Sequence, residues 1–99
     1  MFTIEYAQSV AQELAALRVF DRREVLDRID EELADQPTQE TRNKKILRGL
    51  TPPWEHVEPV WELRIGEYRV FYDADEAAGR VTVRAIRHKP PHKKTEDIF

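Results

Sequence analysis

Arg64 and Arg69 are the side chains whose type and spacing most clearly suggest chemistry. They lie on either side of Gly66-Glu67, which fits a two-residue hairpin turn, and that turn places them directly opposite each other. Like charges at opposed positions of a strand pair are unfavourable, and a planar guanidinium is well suited to binding phosphate. The pair therefore predicts an anion site, the alternative being a solvated pair with Glu62 and Glu67 as neighbours.

The same face offers groups suited to metal-free cleavage of RNA. That reaction needs a base near the 2′-hydroxyl, cations around the phosphate and an acid for the leaving 5′-oxygen. Glu62 is the candidate base, and His88 is the candidate acid because imidazoles generally titrate near neutral pH. Simpler interpretations remain open, since Glu62 can neutralise Arg64 and a histidine near a strand end is commonly structural or exposed.

Other kinds of site are not indicated by the sequence. The chain has three histidines without ligand spacing and no cysteine, so no metal site is predicted. It has a single serine and no glycine-rich phosphate loop, so serine triads and nucleotide-binding loops are unsupported. We therefore predict a function without metal or other cofactor.

The elements that must position these residues form one α+β domain over residues 1–99, in the order β-α-α-β-β-β. Apolar spacing predicts a short strand, two helices joined by Val19 and Phe20, and three further strands. In chain order these elements cover residues 2–6, 9–18, 21–34, 60–65, 68–72 and 80–87. We expect the helical hairpin to pack on a mainly antiparallel sheet, to which residues 45–47 can add a short edge strand.

The last strand is expected to extend the arginine pair into a row. If Val81 faces Tyr72, then Arg84 lies opposite Arg69 on the exposed face of the sheet. Further basic side chains lie in the irregular loop after the helices and beyond the last strand, where plain solvation is the alternative to nucleic-acid contact. The candidate RNA-binding residues are Arg84, Lys44, Lys45, Arg48, His92 and Lys93.

Composition and charge are compatible with a polyanionic partner. The net charge is −3, but residues 1–41 hold four basic and ten acidic side chains, whereas residues 42–99 hold twelve basic and nine acidic ones. A local basic patch can meet a polyanion even on an acidic protein. The absence of cysteine, of a signal sequence and of any apolar run approaching about 20 residues predicts a cytoplasmic protein without membrane contact.

The residues also resemble a known family. The order of elements, the start Phe2-Thr3-Ile4 and the pair Glu13-Leu14 are similar to the RelE/ParE superfamily of type II toxin–antitoxin toxins. The most specific part of the resemblance is the hairpin from Trp61 to Tyr72, WELRIGEYRVFY, followed by residues 85–89, AIRHK. The similarity spans nearly the whole chain and implies the RelE-like α+β fold.

The resemblance implies alternative activities. RelE-like members are metal-independent mRNA endoribonucleases that act on the ribosome and inhibit translation, whereas ParE-like members inhibit DNA gyrase without catalysis. Both are neutralised by a small cognate antitoxin, and a member that only binds its antitoxin is a third alternative.

The resemblance also assigns roles to individual positions. Arg69 matches the arginine that RelE-like enzymes place on the scissile phosphate, and Arg64 matches a basic residue on the preceding strand. His88 or Lys89 falls where the family has its acid or charge-stabilising residue. Glu62 stands where the lysine-rich members have a basic side chain, although relatives with a Glu and His pair exist. The tyrosine that many members carry near the C-terminus has no match here.

Overall fold

Two helices and a five-stranded mixed sheet make up the computed structural model, which describes residues 1–99. The strand order is β1-β5-β4-β3-β2, with β1 parallel to β5 and the other pairs antiparallel. The predicted α+β fold is confirmed, with β2 as an additional edge strand. The elements are β1 (Thr3–Tyr6), α1 (Gln8–Ala15), α2 (Val19–Leu33), β2 (Lys44–Ile46), β3 (Trp61–Ile65), β4 (Tyr68–Asp75), β5 (Arg80–His88) and a 3-10 helix (Thr95–Ile98).

The β3–β4 hairpin has the predicted register. Ile65 pairs with Tyr68, and Arg64 lies opposite Arg69. Gly66 has a φ of +56°, a backbone conformation that glycine adopts without the steric cost of a side chain, so it is suited to the first position of this turn. The turn residues therefore fix the pairing that brings the two arginines together.

The main core lies between the helices and one face of the sheet. Val25, Ile29 and Leu33 recur at helical spacing along α2 and are fully buried with Val10 of α1. The sheet contributes alternate residues of its strands, which follows from the period of two in a β-strand. These are Trp61, Leu63, Ile65, Val70, Tyr72, Val81, Val83 and Ile86.

The connection between the helices differs from the prediction. Helix α1 spans Gln8–Ala15 rather than residues 9–18, and α2 begins at Val19 rather than Asp21. Arg22 links the two helices, because its guanidinium donates hydrogen bonds to the carbonyls of Leu14 (3.0 Å) and Leu17 (3.2 Å). These bonds satisfy carbonyls at the end of α1 and hold the two helices close together.

The register of β5 differs from the prediction by two residues at Tyr72, and a bulge between Tyr72 and Phe71 adds a third. Val83, not Val81, pairs with Tyr72, whereas Ala85 pairs with the neighbouring Phe71, so Arg84 is an extra residue without an opposed partner. The bulge shifts the alternation of β5 along its second half. Arg87 therefore lies opposite Arg69, in the place that the sequence pattern assigned to Arg84.

The face of the sheet away from the helices is partly covered, contrary to the expectation of an exposed face. Phe71 and Ala85 are buried there in a second apolar cluster with Leu47 and Val60. The loop before β3 and the end of the chain supply its cover, through Leu50, Trp54, Ile98 and Phe99. The part of this face near the hairpin turn is left open. No helix has the length and apolar character needed to cross a lipid bilayer.

Candidate functional site

A polar cleft of about 220 Å³ opens on the sheet face that the helices do not cover. It has no hydrophobic lining residue, and five of its eight lining side chains are cations around a single carboxylate. The lining residues are Arg42, Asn43, Lys45, Glu62, Arg64, Arg69, Lys89 and Thr95. A concentration of donors and positive charge of this kind favours an anionic ligand.

Glu62 is the carboxylate of the cleft and is 2% exposed. Its Oε2 atom accepts a hydrogen bond from the Thr95 hydroxyl at 3.2 Å and lies 3.8 Å from Arg69 Nε. Its Oε1 atom lies 3.6 Å from Lys45 Nζ, and Lys45 is the cross-strand neighbour of Glu62. A buried carboxylate needs such compensation, and Lys45, Arg69 and Thr95 supply it here.

Arg69 is held rigidly at the hairpin turn. Its Nη1 atom donates to the carbonyls of Gly66 and Tyr68, each at 2.9 Å, and the residue is 9% exposed. Burial lowers the pKa of the Arg69 guanidinium, Glu62 opposes this shift, and the nearby Arg64 charge adds to the lowering. The guanidinium is thus preorganised at the cost of partial desolvation next to a like charge.

Arg64 differs from Arg69 in its surroundings. It is exposed, and its guanidinium makes no hydrogen bond or ion pair within the chain. Its backbone N–H donates to the carbonyl of Asn43 at 2.8 Å, which fixes the strand but leaves the side chain free. The combination of one fixed and one free guanidinium is suited to receiving a phosphate between them.

Lys89 completes the cationic lining at the end of β5. Its backbone N–H donates to the carbonyl of Glu67 at 2.6 Å, which ties the strand end to the hairpin turn. Five of the candidate residues from the sequence, Glu62, Arg64, Arg69, Lys89 and Lys45, are therefore brought together in one cleft.

His88 is not part of the cleft. It pairs with Tyr68, its ring centroid lies 5.4 Å from the Tyr68 ring, and its Nε2 atom lies 3.0 Å from a carboxylate oxygen of Glu67. Because neighbouring side chains of a strand point to opposite faces, His88 lies on the face away from Arg69. His88, the candidate acid at the end of the last strand, therefore does not lie beside Arg69 and Glu62.

Arg84 and Lys44 also lie elsewhere than expected. Arg84, at the bulge, forms an ion pair with Asp73 through Nε–Oδ2 at 2.8 Å. Lys44 is 3% exposed, and its Nζ atom donates to the carbonyls of Glu32 (3.0 Å) and Gln36 (2.8 Å) beyond the end of α2. Arg84 is thus neutralised outside the cleft, and Lys44 satisfies carbonyls at the C-terminal end of a helix instead of facing a ligand.

The remaining predicted RNA-binding residues do not line the cleft. Arg48 is exposed and pairs with Glu40 at 3.1 Å. His92 and Lys93 are exposed in the segment after β5.

Four residues near the site are not among the candidates named from the sequence, and one of them is Arg42, which lines the cleft. Asn43 and Thr95 line the cleft, and Arg87 lies opposite Arg69 but turns away to an ion pair with Glu13 and to the ring of Trp54, 5.0 Å from its guanidinium carbon. Arg84 and Arg87 are both basic residues of β5, and the register of the strand decides which of them lies opposite Arg69. No sequence signal relates Thr95 to Glu62.

The fold agrees with the comparisons with known proteins. Residues 4–89 match the family model described as ParE toxin of type II toxin-antitoxin system, parDE. The chain therefore belongs to this toxin family, within the RelE/ParE superfamily. The sequence has no match among the curated proteins.

Solved structures of similar proteins share the fold. The RelBE2 toxin–antitoxin complex of Mycobacterium tuberculosis contains a chain with a TM-score of 0.70 and 21% identity, over 89% of this chain and 98% of that one. The archaeal RelE–RelB complex of Pyrococcus horikoshii gives 0.69 and 20%, over 94% and 98%. The isolated E. coli RelE toxin gives 0.69 and 16%, over 98% and 93%. These similarities confirm the RelE-like α+β fold.

Proposed function

We propose that this toxin is a metal-independent, ribosome-dependent mRNA endoribonuclease that inhibits translation. The observation that carries the proposal is the cleft in which five cations surround the buried carboxylate of Glu62. Cleavage of a phosphodiester through the 2′-hydroxyl develops negative charge on the phosphate, and preorganised cations lower the energy of that transition state. Such an activity places the protein in the cytoplasm, where ribosomes and mRNA are found.

The proposed mechanism assigns each step to a group of the cleft. Glu62 takes the proton of the 2′-hydroxyl, the 2′-oxygen attacks phosphorus, and the bond from phosphorus to the 5′-oxygen breaks. Arg69 and Arg64 contact the non-bridging oxygens from either side. Lys89, which lies in the cleft where His88 does not, is the candidate that protonates or neutralises the leaving 5′-oxygen. Lys45, with Arg42 beside it, extends the positive surface along the RNA backbone.

The second candidate function is inhibition of DNA gyrase without catalysis. It is favoured by the description of the matching family model, which names the ParE toxin. In that case the cationic cleft would be an interface or structural feature, and substitution of Arg64 would not affect any RNA. The mRNA endoribonuclease is preferred because a buried carboxylate among cations supplies a base as well as charge.

We propose a cognate antitoxin as the physiological partner. The RelBE2 and RelE–RelB structures contain toxin together with its antitoxin. A segment with acidic and apolar side chains would complement the cationic cleft or the helical hairpin. A neighbouring gene that encodes such a segment with a DNA-binding domain is the natural candidate for co-expression.

The test is cleavage of mRNA on purified ribosomes, mapped by toeprinting, with gyrase supercoiling measured in parallel. The parent protein should cleave, and Arg64→Ala should cleave about 10² to 10³ times more slowly because one phosphate donor is lost from the transition state. Arg80→Ala is the matched control, since Arg80 is an exposed strand arginine outside the cleft and should cleave at the parental rate.

Two other outcomes would contradict the endoribonuclease proposal, and a third would contradict the proposed antitoxin partner. Inhibition of supercoiling with intact mRNA would establish the gyrase alternative. If mRNA cleavage or gyrase inhibition persists on co-expression with the neighbouring antitoxin gene, neutralisation by that partner is contradicted. A parent that affects neither target but still forms the antitoxin complex would be the non-toxic member of the fold.

A further inference from the structure

Thr95 brings the 3-10 helix into the cleft. The Thr95 side chain lines the cleft, and its hydroxyl donates a hydrogen bond to Glu62 Oε2 at 3.2 Å. Because the cleft is otherwise built from β2, the hairpin, the loop before β2 and the end of β5, this contact joins a separate element to the carboxylate.

The two oxygens of Glu62 have different surroundings. Oε2 carries the Thr95 hydrogen bond and lies near Arg69 Nε at 3.8 Å. Oε1 makes no hydrogen bond and lies near Lys45 Nζ at 3.6 Å, and the Lys45 side chain is 65% exposed. The bond from Thr95 is the only hydrogen bond to this carboxylate, so it determines which oxygen is held and which is free.

The position of Thr95 is itself fixed by packing. Phe99 meets Trp54 and Phe71 edge to face, with ring centroids 5.2 and 5.6 Å apart. At the start of the 3-10 helix, the Lys94 backbone N–H donates to Asp97 Oδ2 at 3.0 Å. The second apolar cluster therefore anchors one end of the 3-10 helix. The Asp97 side chain caps the other end, where Thr95 lies.

We infer that Thr95 is a positioning residue of the cleavage site, holding Glu62 Oε2 so that Oε1 is presented to the 2′-hydroxyl of the substrate. The inference rests on the proposed function and adds to it a residue outside the hairpin and the strands. Thr95 acts through Glu62 and need not touch the substrate. Its hydroxyl should therefore affect the rate of the chemical step more than the binding of the ribosome.

The experiment compares Thr95→Val, which keeps the shape and removes the donor, with Thr95→Ser, which keeps the hydroxyl. At saturating ribosome concentration, Thr95→Val should cleave mRNA about tenfold or more slowly, because a hydrogen bond to a charged group is lost. The half-saturating ribosome concentration should change less than about twofold, and Thr95→Ser should restore most of the rate. Thr3→Val is the matched control, because Thr3 is an exposed strand threonine remote from the cleft.

A second readout does not depend on activity. In isotope-labelled full-length protein, the side-chain carboxylate carbon resonance of Glu62 should move in Thr95→Val and stay near the parental position in Thr95→Ser. An unmoved resonance in Thr95→Val, or parental cleavage by that variant, would overturn the inference while leaving the proposed function intact. A parent that does not cleave mRNA would overturn both, and is recognised before any variant is compared.

Discussion

Arg64 and Arg69 face each other, but they differ in what their side chains do for the folded protein. The Arg69 guanidinium donates to two carbonyls of the hairpin turn and lies beside buried Glu62. The Arg64 guanidinium makes no such contact. Removing Arg69 therefore affects the fold as well as any phosphate contact, whereas removing Arg64 affects the cleft alone.

Substitution of the two arginines should therefore change the free energy of unfolding by different amounts. Arg69→Ala leaves Glu62 buried with less compensation, and we expect it to lower the free energy of unfolding by about 1 to 3 kcal/mol. Arg64→Ala should change it by less than about 0.5 kcal/mol, since the side chain is exposed and its removal relieves like-charge repulsion. Urea denaturation at neutral pH measures both, and equal midpoints for the two variants would contradict this assignment.

For individual residues, the sequence predicted a position correctly where neighbouring residues in the chain determine it. The turn at Gly66 sets the pairing of Arg64 with Arg69, so the amino-acid sequence alone was enough to place both residues. Arg84 was misplaced because the alternation of β5 fixes neither its register against β4 nor its bulge. Thr95 was missed because its contact with Glu62 spans 33 residues and leaves no trace in local spacing.

Among the elements, the helices and the central hairpin were predictable because apolar periodicity encodes their buried faces. The spacing of Val25, Ile29 and Leu33 identifies the inner face of α2 directly. The 3-10 helix and the second apolar cluster were not predictable in this way. They form because loop residues such as Trp54 pack across the sheet on Phe71, and such packing is decided by tertiary contacts.

The helix-to-sheet core leads to a prediction about α2. Ile29 is fully buried in the main core, so Ile29→Ala should lower the free energy of unfolding by about 2 to 5 kcal/mol through lost burial and the remaining cavity. Arg23→Ala, at an exposed position of the same helix, should change it by less than about 0.5 kcal/mol. Chemical denaturation followed by circular dichroism measures both, and a parental midpoint for Ile29→Ala would show that α2 does not bury this face.

Over the whole molecule, all three tyrosines are held in the protonated form. Burial is the main cause of the raised pKa of Tyr6, Tyr68 and Tyr72. Carboxylates add to the shift, namely Asp30 for Tyr6, Asp21 for Tyr68 and Glu32 for Tyr72. The folded protein therefore binds these protons more tightly than the unfolded chain does.

This difference predicts a loss of stability in alkali. The tyrosine contribution is fully present below about pH 10, where unfolded tyrosines begin to ionise, and it falls as the pH rises further. Urea midpoints should decrease above that pH, and tyrosinate absorbance should rise later than in the urea-unfolded chain. Tyr72→Phe should make the decrease shallower. Normal tyrosine titration with the fold intact would contradict the prediction.

The arrangement of short and long strands leaves little sheet edge open to another chain. The long strands β4 and β5 lie inside the sheet, and its two edges are formed by β1 and β2, which have four and three residues. Beyond the end of β1, helix α1 runs beside β5, and Glu13 Oε1 accepts the Ile86 backbone N–H at 2.8 Å. A side chain thus takes the place of a neighbouring strand. Few unpaired backbone groups are left for another chain to extend the sheet, which disfavours aggregation through its edges.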